Sequence, residues 1–365
     1  MYDINSVIAD ARRLRSSDIH ISEGMPLCFR INGALTVQDS DLAPETARAL
    51  ILSMLPDVQR TRFESGEDVD FAIAVPDGGR CRVNIFHYGL DGTRLSGGVT
   101  AIAATIRLLD DYIPPLESLG LPPVLKTLSE LPRGLILVTG PTGSGKSTTL
   151  ASMINYINTT RAEHIITVED PVEYVYGRAK SVIHQREVGR DVGNFAAALR
   201  SALREDPDVI LIGEMRDYET ISAALTAAET GHLVMSTLHT TGAAQTVDRI
   251  IDACPPSAQH QIRSQLAGIL RGIITQCLIK RSDGGGRVPA TEVLIGTDAT
   301  LNLIREDKCH QLGTLMQSGA AAGMHTLNSD LTRLVKAGTI TREDAYKYSN
   351  DVKSLADFIG NTRTF

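Results

Sequence analysis

The sequence predicts an α/β protein with a doubly wound parallel sheet, a smaller α+β domain before it and a helical region after it. Near-continuous apolar runs such as 209–212 alternate with helix-compatible segments in the middle of the chain. Such runs are typical of parallel strands that are covered by helices on both faces. The first 108 residues instead mix short alternating strands with helical patterns, and the spacing after residue 289 is mostly helical.

The N-terminal region, 1–108, is predicted to form the α+β domain. Apolar residues recur at helical spacing in two segments, 4–14 and 44–55. Strand-like alternation predicts the strands 18–22, 27–31, 70–75, 82–86 and 99–108. The glycine-rich segment 89–98 is expected to be a loop.

The rest of the chain divides at two places. Paired prolines predict a semi-stiff linker at 109–122. Residues 123–288 alternate strands with helices, and the strands are predicted at 135–139, 164–168, 208–212 and 232–237. After a triple-glycine turn and a short apolar run, the region 289–365 is predicted to be helical, at 298–305, 309–318, 324–337, 341–347 and 351–358.

Composition argues against several classes of protein. The net charge of −7 disfavours general binding to nucleic acid. None of the five cysteines forms a C-x-x-C pair, so neither a zinc site built from such pairs nor a disulfide framework is expected. No apolar run approaches the roughly 18 residues of a membrane span, and the first residues lack a signal-peptide pattern. We therefore expect a cytoplasmic protein that reaches a membrane only through a partner.

A phosphate-binding loop is the strongest motif. The sequence G-P-T-G-S-G-K-S at 140–147 fits G-x-x-x-x-G-K-[ST] and lies between an apolar run and a helix-compatible segment, as a P-loop requires. Its backbone N–H groups and the helix N-terminus would cradle phosphates. Lys146 is expected to reach the β- and γ-phosphates, and Ser147 to ligate Mg²⁺. The expected contacts of an ATP molecule are Gly140, Pro141, Thr142, Gly143, Ser144, Gly145, Lys146, Ser147 and Thr148.

Three carboxylates follow predicted strands. Glu214 comes after the run 208–212 in a Walker B arrangement and is expected to polarise the attacking water or act as general base. Glu169 and Glu173 follow the end of the predicted strand 164–168, where α/β sheets bind ligands, and could hold Mg²⁺ through water or orient the nucleophile. A solvated loop or charged turn is the alternative reading of these residues.

Histidine and arginine side chains complete the candidate site. His239 ends a predicted strand and is the candidate for sensing the γ-phosphate, whereas His232 is predicted to be structural. Arg200 and Arg204 are four apart and would share one helix face. P-loop hydrolysis often needs an arginine, supplied in cis or by a neighbouring subunit. A solvated basic face fits their spacing equally well.

Taken together, these motifs resemble the PilT family of type IV pilus-retraction ATPases, within the secretion-ATPase superfamily. The resemblance extends over nearly the whole chain. It is carried by S-D-I-H at 17–20, R-C-R-V-N at 80–84, E-D-P-V-E at 169–173, Q-R-E-V-G at 185–189, the run 198–207 into G-E-M-R-D at 213–217, the histidine-containing 232–243, N-L-I-R-E at 302–306, H-Q at 310–311 and G-M-H-T-L at 323–327.

The resemblance implies a PAS-like N-terminal domain, a RecA-like motor domain and a hexameric ring. ATP would bind between domains and be completed by N-terminal arginines, for which Arg82, Arg94 and Arg107 are the positions here. Hydrolysis would act on an inner-membrane platform protein at the inner face of the cytoplasmic membrane, and so depolymerise the pilus and drive twitching motility.

Two features of the sequence favour some of the functions that the resemblance leaves open over others. Assembly and type II secretion ATPases usually carry an extra N-terminal domain and a four-cysteine zinc insert, and this sequence shows neither. A pilus-assembly role is therefore disfavoured against retraction. A type IVB secretion or conjugation ATPase and a nucleotide-gated regulatory module remain as alternatives.

Overall fold

The computed structural model describes residues 3–31, 33–38, 42–75, 79–89, 100–109 and 112–360. The backbone separates into two compact units. The N-terminal unit comprises Met1–Tyr112 with Pro171–Val175. The C-terminal unit comprises Ile113–Asp170 with Tyr176–Phe365. Each unit has its own apolar core.

The N-terminal unit is an antiparallel sheet with three helices. Its strands are β1 (Ser16–Ser22), β2 (Cys28–Ile31), β3 (Ala34–Val37), β4 (Val69–Ala74), β5 (Arg80–Tyr88) and β6 (Ala101–Leu108), in the order β3-β2-β1-β6-β5-β4. Its helices are α1 (Ile4–Arg13), α2 (Pro44–Ser53) and α3 (Asp57–Glu64). The α1 helix begins where the Asp3 side chain accepts from the Asn5 and Ser6 amides, and it buries Val7, Ile8 and Ala11. The predicted α+β architecture is confirmed here.

The C-terminal unit is built on a seven-stranded sheet. Its strands are β7 (Gly134–Thr139), β8 (His164–Glu169), β9 (Val182–Glu187), β10 (Val209–Ile212), β11 (Leu233–Leu238), β12 (Leu270–Lys280) and β13 (Arg287–Ile295). Their order is β13-β12-β7-β11-β10-β8-β9. All neighbours are parallel except β13, which pairs antiparallel with β12.

Eleven α-helices are described in this unit. They are α4 (Val124–Ser129), α5 (Lys146–Thr160), α6 (Phe195–Ala202), α7 (Tyr218–Glu229), α8 (Ala243–Asp252), α9 (Pro256–Ile269), α10 (Asp298–Arg305), α11 (Leu312–Ser318), α12 (Leu327–Lys336), α13 (Arg342–Tyr348) and α14 (Val352–Gly360). Each segment predicted to be helical after residue 298 contains one of these helices. The predicted segment 309–318 opens with a 3-10 turn at Cys309–Gln311 before α11 begins.

The β7 strand shows why helices cover the sheet on both faces. All six of its residues are buried. Leu135 and Leu137 pack into a cluster with α7 and α8, whereas Ile136 and Val138 pack into a second cluster with α5. Successive strand residues point to opposite faces, so apolar residues at every position require a covering layer on each side. The doubly wound parallel sheet that the sequence predicts is confirmed.

The sequence patterns do not predict β9 or β12, and they predict only the end of β13. The β9 strand reads V-I-H-Q-R-E and lies at the sheet edge, where polar residues are tolerated. The β12 strand follows α9 without a loop, because Leu270 both caps the helix and begins the strand. The proposed division at 288/289 falls inside β13, and the domain boundaries otherwise stay a prediction. The expected loop 89–98 lies almost wholly outside the described residues.

Candidate active site

The P-loop connects β7 to α5 and depends on glycine backbone geometry. Gly140, Gly143 and Gly145 have φ of 142°, 76° and 89°, a region that side chains with a Cβ rarely enter. Gly140 has a further reason, because a Cβ there would collide with the Gln276 carbonyl oxygen of β12. Gly145 is the N-cap residue of α5. The chain can therefore turn its loop against β12 and point the α5 N-terminus at the loop.

The Lys146 side chain is held beneath the loop. Lys146 is 8% exposed, and its Nζ atom donates to the carbonyl oxygens of Gly140 at 2.9 Å and Pro141 at 3.0 Å. Ser147 and Thr148 follow in the first turn of α5 and are half-buried. Pro141, with the next two loop residues, is exposed. The loop thus presents an accessible outer surface with a buried ammonium group behind it.

Glu214 and His239 lie together near this ammonium group. The Glu214 Oε2 atom is 2.7 Å from Arg216 Nε and 3.7 Å from His239 Nε2. The Glu214 side chain is 22% exposed and that of His239 is 46% exposed. Burial lowers the pKa of His239, and the positive charge of Lys146 lowers it further. The imidazole is therefore biased towards its neutral form.

Strand order explains why these residues meet. The P-loop follows β7, His239 follows β11 and Glu214 follows β10, and these three strands are neighbours in the sheet. Their carboxyl ends lie at one edge because the strands are parallel. The structure therefore brings together Lys146, His239 and Glu214, as the sequence predicted from three separate motifs.

Glu169 lies at the same edge, one strand further along. It is the last residue of β8, which pairs with β10. Its Oε1 accepts from Thr167 Oγ1 at 2.7 Å and from Gln185 Nε2 at 3.2 Å. Glu173 belongs to the segment Pro171–Val175, which is part of the N-terminal unit. Glu169 is thus an oriented carboxylate at the ligand-binding edge.

The two candidate arginines, Arg200 and Arg204, occupy different kinds of position: one lies in α6 and the other follows it. Arg200 lies in the last turn of α6 and is exposed. The helix ends at Ala202, so the expectation that Arg204 shares its helical face is wrong. Arg204 is in the following turn, exposed, and its Nη1 donates to the Arg200 carbonyl at 3.0 Å. Leu203 closes the helix before it.

Comparison with known proteins gives the family. A family model described as Type II/IV secretion system protein matches residues 1–360. The type IV pilus retraction ATPase PilT of Pseudomonas aeruginosa is 47% identical over 94% of this chain and 97% of its own length. A twitching motility protein of Neisseria gonorrhoeae is 45% identical over 94% of this chain and 91% of its own.

Solved structures agree with the sequence comparison. The crystal structure of the pilus retraction motor PilT with bound ADP superposes with a TM-score of 0.88, at 47% identity, over 98% of this chain and 100% of that one. The Legionella pneumophila ATPase DotB gives 0.80 at 30% identity over 94% of each chain.

The chain belongs to the Type II/IV secretion system protein family. The PilT-family resemblance that the motifs carry is confirmed, and with it the RecA-like core preceded by an N-terminal domain. No described helix of this family member is both long and apolar enough to cross a membrane.

In this PilT-family chain, two of the N-terminal arginines stand side by side. Arg82 on β5 lies directly opposite Arg107 on β6. Arg82 Nη2 is 2.6 Å from Asp70 Oδ2, and Arg107 Nε is 3.0 Å from Asp18 Oδ1. These carboxylates offset the repulsion expected between like charges in cross-strand positions. Arg94, the third position that the resemblance indicates, lies outside the described residues.

Sequence reasoning missed Gln276, which braces the P-loop. Gln276 is 2% exposed on β12. Its Nε2 donates to the Ser144 carbonyl at 2.7 Å, and its Oε1 accepts from Thr149 Oγ1 at 3.0 Å. One side-chain amide thus fixes both the loop and the first turns of α5. The available signal was the polar pair T-Q at 275–276 inside an apolar run, and it is informative only once β12 is recognised as a strand.

Proposed function

We propose that this chain is the subunit of a hexameric, Mg²⁺-dependent ATPase motor that powers type IV pilus retraction. The observation that carries the proposal is the meeting of the P-loop, Glu214 and His239 at the carboxyl ends of three adjacent strands. Phosphate binding, charge stabilisation and water activation are the three tasks of P-loop hydrolysis. The residues at this edge are suited to all three.

ATP is held by the chain's own backbone and by Lys146. The loop amides and the N-terminus of α5 bind the phosphates. The Lys146 ammonium, now engaged by two loop carbonyls, is placed to reach the β- and γ-phosphates. The P-loop glycines allow the backbone to approach the phosphates closely.

The donor set of the site fits Mg²⁺. Ser147 offers a hydroxyl in the first turn of α5, and Glu169 offers an oriented carboxylate at the same sheet edge. Oxygen ligands of this kind, few in number and supplemented by water and phosphate, are what Mg²⁺ prefers. When bound, Mg²⁺ neutralises charge on the phosphate oxygens. Glu173 is proposed as a further ligand acting through water.

Glu214 is proposed as the general base. It accepts the proton of the attacking water while the neutral His239 imidazole senses the γ-phosphate. Arg216, whose Nε atom is 2.7 Å from Glu214 Oε2, orients the carboxylate. Arg200 and Arg204 are exposed and are proposed to act on a neighbouring subunit's nucleotide, and Arg82 and Arg107 to complete the site from the N-terminal unit.

Retraction is favoured over the related roles by the comparisons. Identity to the PilT relative is 47%, against 30% for the DotB structure. The proposed partner is an inner-membrane pilus platform protein, with the motor in the cytoplasm at the inner face of the cytoplasmic membrane. A type IVB secretion or pilus-assembly ATPase and a nucleotide-gated module remain the competing functions.

The test is steady-state Mg²⁺-ATPase activity against protein concentration, with oligomer mass measured in parallel and Glu214→Gln as the inactive control. Activity that rises as hexamers form supports a ring motor. A stable hexamer that binds ATP without turnover, even with the platform protein added, would instead support the nucleotide-gated module.

A further inference from the structure

A buried carboxylate on β13 connects the His239 turn to the C-terminal helices. Glu292 is 9% exposed. Its Oε1 accepts from the backbone amide of Ala243, the first residue of α8, at 2.8 Å. The backbone amide of Leu327, the first residue of α12, lies near enough to the same carboxylate to lower its pKa. One carboxylate therefore caps α8 and also lies beside the N-terminus of α12.

This arrangement suits a charged side chain despite its burial. Helix N-termini carry partial positive charge and unpaired N–H groups, and both favour an anion. The α8 helix lacks a capping side chain of its own, because its N-cap residue is Gly242. Burial raises the pKa of Glu292, and the backbone amides of Ala243 and Leu327 oppose that rise. The α8 N-terminus thus depends on a residue from another part of the chain.

The helix that Glu292 caps is the one that follows the His239 turn. Residues 239–242 lead directly from β11 into α8. A second contact reaches this turn from the C-terminal helices, since Asn350 Nδ2 donates to the Thr241 carbonyl at 2.8 Å. Asn350 lies between α13 and α14. Two polar contacts from residues after 289 therefore reach the turn, in addition to the hydrogen bonds that Thr240 and Thr241 make with α8.

The C-terminal elements that provide these contacts are themselves joined. Asn328 of α12 donates from Nδ2 to the Asp351 carbonyl at 2.8 Å and accepts from Ser349 Oγ at 2.8 Å. A displacement of α12 would therefore reach the Asn350 contact as well as the Glu292 contact. The C-terminal helices are therefore connected to the His239 turn through both Glu292 and Asn350.

Packing around these contacts is interrupted by open space. A cavity of about 220 Å³ is lined by Pro141, Thr241 and Asn350, among others. A second cavity of about 160 Å³ is lined by Glu292, Leu327 and Asn350. The hydrogen bonds of Glu292 and Asn350 therefore lie beside open space, while Ala243 itself is packed in the apolar core.

We propose that Glu292 and Asn350 are positioning residues that set the His239 turn and couple it to the C-terminal helices. This rests on the proposed function for the role of His239, but the coupling itself is independent of catalysis. Movement of the C-terminal helices, by a neighbouring subunit or a partner, would shift the turn that faces Glu214. Nucleotide binding at the P-loop would not require either residue.

Amide hydrogen exchange tests the coupling without reference to activity. In the full chain, Glu292→Gln and Asn350→Ala should each speed exchange across 239–243. Glutamine has one acceptor oxygen in place of two and lacks the negative charge that the α8 N-terminus favours, and alanine removes the Thr241 contact. Glu343→Gln, at an exposed carboxylate on α13 that pairs with Lys347, should leave exchange there unchanged. Unchanged exchange across 239–243 in both test variants would overturn the coupling.

Kinetics then test whether the coupling acts through His239. Each variant should lower kcat roughly 2- to 30-fold, the range for a coupling contact, while the Kd for ADP stays at the wild-type value. In a His239→Gln background, neither variant should cause a further loss, because the effect is transmitted through that residue. Fully additive losses would overturn the positioning role.

The same measurements separate this inference from the proposed function. If His239→Gln alone keeps wild-type turnover, the sensor role of His239 fails, and the exchange result still decides whether Glu292 and Asn350 hold the turn. If Glu292→Gln does not fold, Asn350→Ala carries both tests, because Asn350 is an exposed residue whose loss leaves the core intact.

Discussion

Lys146 is the residue at which the phosphate-binding hypothesis is most directly testable. Its ammonium is buried against two loop carbonyls, so Lys146→Ala removes the only side-chain charge that the motif places at the β- and γ-phosphates. We expect binding of a fluorescent ATP analogue to be lost and ATPase activity to fall to background. Lys308→Ala, at a surface lysine paired with Glu306, is the matched control. Wild-type turnover in Lys146→Ala would remove the P-loop assignment.

A substitution at Glu214 distinguishes ATP binding from ATP hydrolysis. Glu214→Gln keeps the size of the side chain but cannot accept the proton of water, so ATP binding should persist while kcat falls by roughly 10²- to 10⁴-fold. Binding is measured by analogue titration and turnover by phosphate release. Glu219→Gln, on the exposed first turn of α7, should behave as wild type. Retained turnover in Glu214→Gln would transfer the base role to Glu169.

Secondary structure was predictable where burial imposes a pattern. The strands β7, β8, β10 and β11 are apolar on both faces, and each prediction agrees with the structure to within about a residue at either end, the usual uncertainty of such boundaries. The edge strand β9 carries polar residues, and β12 follows α9 without a turn, so neither produced a signal. The site followed the same rule. The P-loop, Glu214 and His239 are local motifs, whereas Gln276 becomes part of the site only through the pairing of β12 with β7.

The pairing of β12 with β7 gives the Gln276 brace a testable cost. Gln276→Leu keeps the volume but leaves the buried Ser144 carbonyl and Thr149 hydroxyl without their partner. We expect a loss of about 1–3 kcal/mol in the free energy of unfolding and a raised KM for ATP with a smaller change in kcat. Denaturant unfolding and steady-state kinetics measure both. Gln261→Leu on the exposed face of α9 is the control. An unchanged KM would mean that the brace does not shape the loop.

At the scale of the whole molecule, the proposed ring gives the exposed arginines a possible partner, the nucleotide of a neighbouring subunit. Arg200 and Arg204 face outward from their own subunit's surface, where a solvated basic face and an arginine supplied to a neighbour would look the same. The two readings differ in what a mixed ring does. If the arginines act across subunits, an intact site needs Glu214 from one chain and the arginines from another.

Mixed rings therefore test the arrangement. One preparation carries Glu214→Gln, the other carries Arg200→Ala with Arg204→Ala, and each alone should be inactive. In randomly mixed hexamers about a quarter of the interfaces pair an intact Glu214 with intact arginines, so about that fraction of wild-type activity should return. Native mass spectrometry of the mixture confirms that the subunits have exchanged. An arginine preparation that is active alone would place the arginines on a solvated face. Mixed rings without activity would place them in cis, because only a contribution across the subunit boundary lets two defective chains restore one working site.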